Sequence, residues 1–188
     1  MLFRSKAIVQ MLQKHGINAI GLSGIDGQIF LAERKEKLVI VNEKGRKQII
    51  DGGYTGKVTK VNSDLLKLLL EKGYTPVISP IAVSKEFDML NIDGDRAAAN
   101  VAGAIQSDKI LFITNVDGLL MNEKLVENLT NAEAKEIRPK VGFGMEKKIL
   151  AATEALDMGV KEALIGNGQR ENPISSAISH TKCTVITK

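Results

Sequence analysis

The chain has 188 residues, with 26 Lys and Arg against 22 Asp and Glu for a formal net charge of +4, a length that suits one domain with a sizeable core. Aromatic residues make up only 4%, which argues against a stacking platform for nucleic acid, and the scattered lysines support no more than a mild preference for an acidic partner. No apolar run approaches the roughly 18 residues that span a bilayer, Met1 to Lys6 has no signal-peptide pattern, and the single cysteine, Cys183, makes no internal disulfide, so a cytoplasmic protein is expected.

Along the chain, Leu2 to Lys14 reads as a helix with apolar positions at Phe3, Ala7, Ile8, Met11 and Leu12, stopped at His15-Gly16. Ala19 to Leu22 is a short buried strand that runs into the glycine-punctuated loop Ser23-Gly24-Ile25-Asp26-Gly27. Ile29 to Ala32, Leu38 to Val41 and Lys47 to Ile50 read as short antiparallel strands with a turn at Lys44-Gly45. Asn62 and Ser63 can cap a helix through Glu71, closed by Gly73, before a strand from Thr75 to Ser79 that Pro80 breaks. An alanine-rich helix from Asp93 to Ile105 leads to strand Lys109 to Thr114. A longer helix from Met145 to Met158 leads to strand Glu162 to Ile165; Pro173 opens a short helix, and Thr184 to Thr187 is a last strand. This alternation predicts an α/β fold, a three-layer α-β-α sandwich on a mainly parallel open sheet, with a small antiparallel region near residues 29–60. Ligands bind such sheets outside the carboxyl ends of the strands. Those ends carry Ser23-Gly24, Ser79-Pro80, Thr114 to Gly118 and Gly166-Asn167-Gly168.

Three segments there are rich enough in polar groups and glycine to carry chemistry. Asn91-Ile92-Asp93-Gly94-Asp95 opens a helix and can orient a polar substrate, a lysine or a metal, although a solvated turn with a helix cap would look the same. Gly94 precedes Asp95, which excludes an EF-hand calcium loop. The turn Thr114-Asn115-Val116-Asp117-Gly118 can present backbone groups to a nucleotide, yet these are also ordinary turn residues. Gly142-Phe143-Gly144-Met145-Glu146-Lys147-Lys148 approaches a helix without the Gly-Lys-Ser/Thr of a Walker loop. Lysines in a first helical turn oppose the helix dipole, so Lys147 and Lys148 hint at an anionic ligand; a solvated basic face is the competing reading. Ser23 has no His and Asp at triad spacing, His15 and His180 read as solvated, and Cys183 as a small buried residue.

Taken in order, these segments resemble the amino acid kinase superfamily, and within it the N-acetylglutamate kinase family. The resemblance is carried by Gly16 to Gly27, Gly56 to Asn62, Pro76 to Pro80, Asn91 with Asp95, the Thr114 to Gly118 turn, and Gly144-Met145 with Lys148. Asp51 to Gly56, Asp93-Gly94-Asp95 and Gly168 to Ile174 look more like the lysine-biosynthesis branch, whose kinases act on aminoadipate or glutamate held by the small acidic carrier LysW.

The resemblance implies a carbamate kinase-like fold and in-line transfer of the ATP γ-phosphoryl group to a carboxylate, chemistry that is mostly positioning and charge neutralisation. It implies that Lys148 stabilises the transferring group and Asp95 orients the catalytic lysines. Asn91, with Ser23 and Gly24, would bind substrate. Thr114, Asn115, Val116, Asp117 and Gly118, with Gly142, Gly144 and Met145, would line the nucleotide site, and Mg²⁺ would bridge the phosphates with no dedicated protein metal site. A homodimer through Phe3 to Leu12 is implied, as is the acidic carrier as partner; neither nucleic acid nor membrane is. Residues 1–188 are expected to form one amino acid kinase domain, comprising the nucleotide-binding portion and part of the substrate lobe. The family's first strand with its Lys and Gly-Gly turn, its second glycine pair and its substrate-binding Arg have no counterpart in this sequence, so a truncated chain is expected. The alternatives are a kinase for free N-acetylglutamate and a non-catalytic nucleotide-binding remnant.

Overall fold

A computed structural model describes residues 2–41 and 45–188, with residues 2–4 and 41 described by their backbone alone. Lys44 of the expected Lys44-Gly45 turn therefore lies outside the described residues, as does the side chain of Phe3. The chain divides into two compact units, Met1–Ala97 and Ala98–Lys188.

The first unit begins with α1 (Leu2–Lys14), which ends where Gly16 takes a φ of +77°. Strand β1 (Ala19–Ser23) follows, then a 3₁₀ turn at Asp26–Gln28, and β2 (Phe30–Arg34). Next come β3 (Lys37–Val41), β4 (Lys47–Asp51), β5 (Gly56–Val61) and α2 (Ser63–Glu71). The unit closes with β6 (Thr75–Ser79), β7 (Ile81–Val83) and β8 (Met89–Asn91), and its boundary falls inside α3 (Gly94–Ala104). Asn62 is the N-cap of α2, its side chain accepting the Leu65 N–H at 3.3 Å. β1 and β6 are parallel and in register from Ala19 opposite Thr75 to Ser23 opposite Ser79, with α1 and α2 packed on β6. A second sheet has the order β5-β2-β7-β8. Its β2–β5 pairing is antiparallel, as is the separate β3–β4 hairpin, so the expected antiparallel region near 29–60 is present. Ile29, Phe30, Leu66, Ala82 and Leu90 form its interior.

The second unit holds β9 (Lys109–Thr114), the short pair β10 (Leu120–Met121) and β11 (Lys124–Leu125), and β12 (Asn128–Thr130). Helices α4 (Asn131–Ile137) and α5 (Phe143–Asp157), strand β13 (Glu162–Asn167), helix α6 (Pro173–Ile178) and strand β14 (Cys183–Thr187) complete it. The sheet order is β12-β14-β13-β9, with β13 parallel to β9 and antiparallel to β14. Side chains alternate across this sheet as a period of two requires. Ile110, Phe112, Ala163, Ile165 and Ile186 face a large core with Ala99, Ala102, Ile149, Ala152 and Leu156. Leu111, Leu164, Cys183 and Val185 face the other way, against Ala177 of α6. Helices therefore cover both faces of this sheet. The α/β class holds, and parallel pairing sits beside antiparallel pairing in each unit.

α5 starts at Phe143 rather than Met145, so Lys147 and Lys148 are its fifth and sixth residues and lie in the second turn, not the first. Strand β5 and helix α4 went unread, although Thr130 and Glu133 form a full capping box at the start of α4.

Candidate active site

In the first unit the predicted substrate residues gather at the carboxyl ends of β1 and β6. Gly24 donates its N–H to the Ser79 carbonyl at 3.1 Å, and its carbonyl accepts from Phe30 at 2.7 Å. The chain passes so closely there that a Cβ on Gly24 would stand 2.2 Å from the Ile81 carbonyl oxygen. Ser23 is held by Asp26, whose carboxylate accepts its N–H at 2.7 Å and its hydroxyl at 3.1 Å. Asn91 lies opposite Ile81 in the β7–β8 pairing and has an exposed side chain. One residue on, the Ile92 N–H reaches the Pro80 carbonyl at 3.3 Å. Ser23, Gly24 and Asn91 thus meet around the Pro80-Ile81 corner. Asp93 is the residue that caps α3, accepting the Arg96 N–H at 3.1 Å, while Asp95 is half-buried in the first helical turn.

In the second unit the predicted nucleotide residues fall into two groups. The first is the turn after β9. Its Gly118 takes a φ of +153° and passes so close to β14 that a Cβ would meet the Thr184 hydroxyl at 2.4 Å. That hydroxyl accepts the Leu119 N–H at 2.8 Å and donates to the Val126 carbonyl at 2.7 Å. At the other end of the turn, the Thr114 carbonyl accepts the Gly168 N–H at 2.8 Å. Between these anchors, Asp117 accepts the Arg170 Nε–H at 2.6 Å on one oxygen and a second bond from Arg170 Nη2 on the other. It also accepts from Asn167 Nδ2 at 2.9 Å.

The second group opens α5. Gly142 is its N-cap and supplies no side-chain acceptor, leaving the first amides of the helix without a side-chain partner. A Cβ at Gly142 or Gly144 would meet nothing within 4 Å. Packing therefore does not require glycine at either place, unlike Gly24 and Gly118. The dipole and free amides of such a start favour an anion. Lys148 is half-buried in the second turn, and Lys147 lies over the exposed Phe143 ring at 4.4 Å from its centre. Arg170 and Asn167 were missed as partners of Asp117, because no local spacing links positions 53 and 50 residues apart. His180, read as solvated, is exposed but bonded to Glu162 at 2.9 Å.

The hydrogen bonds from Arg170, then Asn167, hold the Asp117 carboxyl at a pKa of about 2, below its usual range. An ordinary aspartate titrates at about pH 3.9. A depressed folded-state pKa stabilises the fold above the unfolded value, and that contribution is lost as pH falls toward the folded one. Urea midpoints of the wild type should therefore drop between about pH 5 and 2 more steeply than those of Asp117→Asn. Parallel curves for the two proteins would show that the pair adds nothing to stability.

The sequence pattern described as the Amino acid kinase family matches residues 2–167. The chain belongs to the amino acid kinase family. Among its relatives in that family, a Nitrosopumilus maritimus (strain SCM1) protein provisionally named LysW-aminoadipate/LysW-glutamate kinase is 72% identical over 97% of this chain and 68% of its own. The LysW-aminoadipate/LysW-glutamate kinase of Saccharolobus islandicus (strain L.S.2.15 / Lassen #1) is 42% identical over 97% of this chain and 69% of its own. Among solved structures, smu.665 from Streptococcus mutans UA159 superposes with a TM-score of 0.75 at 28% identity, covering 97% of this chain and 66% of that one. This chain thus spans about two thirds of the length of each of these three proteins. Among the described residues, no helix is long and apolar enough to cross a membrane.

Proposed function

We propose that this protein transfers the γ-phosphoryl group of ATP to the side-chain carboxylate of L-2-aminoadipate or L-glutamate held on a small acidic carrier protein. The products are an acyl phosphate and ADP, and the step belongs to lysine biosynthesis and, with glutamate, to arginine biosynthesis in the cytoplasm. The observation that carries the reading is the start of α5. Uncapped amides, two glycines that packing does not require, and Lys148 in the second turn suit a polyphosphate. The names of the relatives at 72% and 42% identity supply the acceptor.

In this reading residues 1–188 belong to one kinase domain. The second unit takes the nucleotide through Thr114 to Gly118, Gly142, Gly144 and Met145, and Lys148 neutralises charge on the transferring group. The first unit takes the acceptor through Ser23, Gly24 and Asn91, and Asp95 serves there as a catalytic carboxylate. Among the described residues no group of three or more His, Cys, Asp or Glu could hold a metal ion. Mg²⁺ would arrive with the nucleotide phosphates and keep several of its own waters. When bound, the ion offsets phosphate charge.

Hydroxylamine trapping tests the reaction. With ATP, the carrier-linked substrate should yield hydroxamate and free N-acetylglutamate should not. The reverse result would replace this acceptor with the free one. The reading includes a homodimer through α1, where Ile8 and Met11 are 51% and 55% exposed. Met11→Asp should halve the mass seen by light scattering, and a wild-type monomer would exclude this interface.

A further inference from the structure

We infer that Arg170 is a positioning residue for the nucleotide: it ties the loop after β13 to the turn after β9, fixing the backbone groups of Asn115 to Gly118. The inference rests on the nucleotide reading of that turn and adds to it a residue to which neither the turn nor its spacing points.

The geometry is that of a clasp closed from one side. Parallel pairing of β9 with β13 brings Thr114 opposite Asn167, so the two strands release their chains at the same level. From there the loops diverge, and three links hold them. The Gly168 N–H donates to the Thr114 carbonyl at 2.8 Å, and a Cβ at Gly168 would stand 2.5 Å from Ile113 Cγ2, so the backbones lie against each other. Asn167 uses both ends of its amide, donating to Asp117 at 2.9 Å and accepting the Gln169 N–H at 2.9 Å. Arg170 supplies the last link with two parallel bonds to the two oxygens of Asp117. Its planar fork matches a carboxylate in a way a lysine ammonium does not.

The far side of the turn is already fixed by Gly118 against Thr184 and by the Leu119 N–H on the Thr184 hydroxyl. Thr114 and Gly118 are therefore held from both sides, and the middle of the turn depends on Asp117. The Arg170 and Asp117 side chains remain 34% and 31% exposed, at the rim rather than in the core. Solvent screens such a rim pair, so the stability it adds is modest and does not exhaust its role. Its two fixed bonds instead restrict the turn, and preorganised loops bind more tightly because less ordering remains to be done on binding.

Calorimetry of ATP-Mg²⁺ binding and steady-state kinetics on the wild type, Arg170→Met, Arg170→Lys, Asp117→Asn and the Arg170→Met/Asp117→Asn double variant test this. Arg170→Met should weaken nucleotide binding about 10-fold or more and raise KM for ATP in parallel, with kcat and KM for the acceptor changed far less. Arg170→Lys should fail to restore affinity, and Asp117→Asn should match Arg170→Met without adding to it in the double variant. Wild-type affinity in Arg170→Met would overturn the inference and leave the nucleotide reading standing. Equal losses of affinity for ATP and acceptor would mark a general structural role and also overturn it. A wild type that binds no nucleotide would remove the reading and the inference with it.

Discussion

Lys148→Ala should lower kcat for acyl phosphate formation by at least about two orders of magnitude, with little change in KM for either substrate. Lys148 is the sixth residue of α5, half-buried and followed directly by Ile149 in the core. The helix thus fixes the root of the side chain. A charge that acts as negative charge shifts during transfer contributes to the transition state rather than to binding, so its loss should fall on kcat. Alanine is the best helix former, and the helix should keep its stability. Circular dichroism and a thermal melt close to the wild type would confirm that the fold is intact. Turnover within about threefold of the wild type would remove Lys148 from the catalytic role.

Gly24→Ala should act on stability instead. The added Cβ would sit 2.1 Å from Phe30 Cδ2 and 2.2 Å from the Ile81 carbonyl oxygen. Phe30 is 2% exposed, and the second neighbour is backbone. Relief requires β1, β2 and β7 to move apart, which places the cost at about 3 kcal/mol, the upper end for overpacking, or beyond. Gly144→Ala is the contrasting arm. Nothing lies within 4 Å of its Cβ, and alanine inside a helix is favoured over glycine by up to about 1 kcal/mol. Stability should hold or rise there while nucleotide affinity falls, because the methyl would occupy the approach to the amides of α5. Urea unfolding of both variants checks the pair. Equal midpoints for Gly24→Ala and the wild type would mean that the β1–β7 crossing is looser than these distances require.

These contrasts bear on how far the chain could be read from its residues. Helix and strand alternation was legible because the cores are periodic: Leu111, Leu164 and Val185 face one side, and Ile110, Ala163 and Ile186 the other. The glycine-bearing strand ends were legible because loops at the carboxyl ends of strands concentrate small and polar residues. What each glycine does was not. Gly24 is demanded by a neighbour 57 residues away in sequence, since Ile81 approaches it, whereas Gly144 is demanded by nothing in the protein. Only tertiary packing separates the two. α5 starts two residues earlier than expected because Phe143 and Gly144 carry weak helix preference, and that shift carries Lys148 from the first helical turn into the second. Thr130-Asn131-Ala132-Glu133 was readable as a capping box, but the seven-residue helix behind it is too short to show a convincing apolar period. The Arg170–Asp117 pair depends on β9 and β13 being neighbours, which no local pattern encodes.

The unequal cover on the two faces of the β12-β14-β13-β9 sheet has a dynamic consequence. One face lies under α5 and a broad apolar core, while the other is covered by the six residues of α6 and a small cluster around Ala177. Local opening free energies follow the apolar area an element must give up. α6 can therefore lift from the sheet at far lower cost than α5, and its amide protons would exchange with deuterated solvent well before those of Ile149 to Leu156. Each such excursion would uncover the Cys183 thiol, which is 2% exposed in the closed state. At reagent concentrations where labelling outpaces reclosing, the rate at which Cys183 is modified measures how often that face opens.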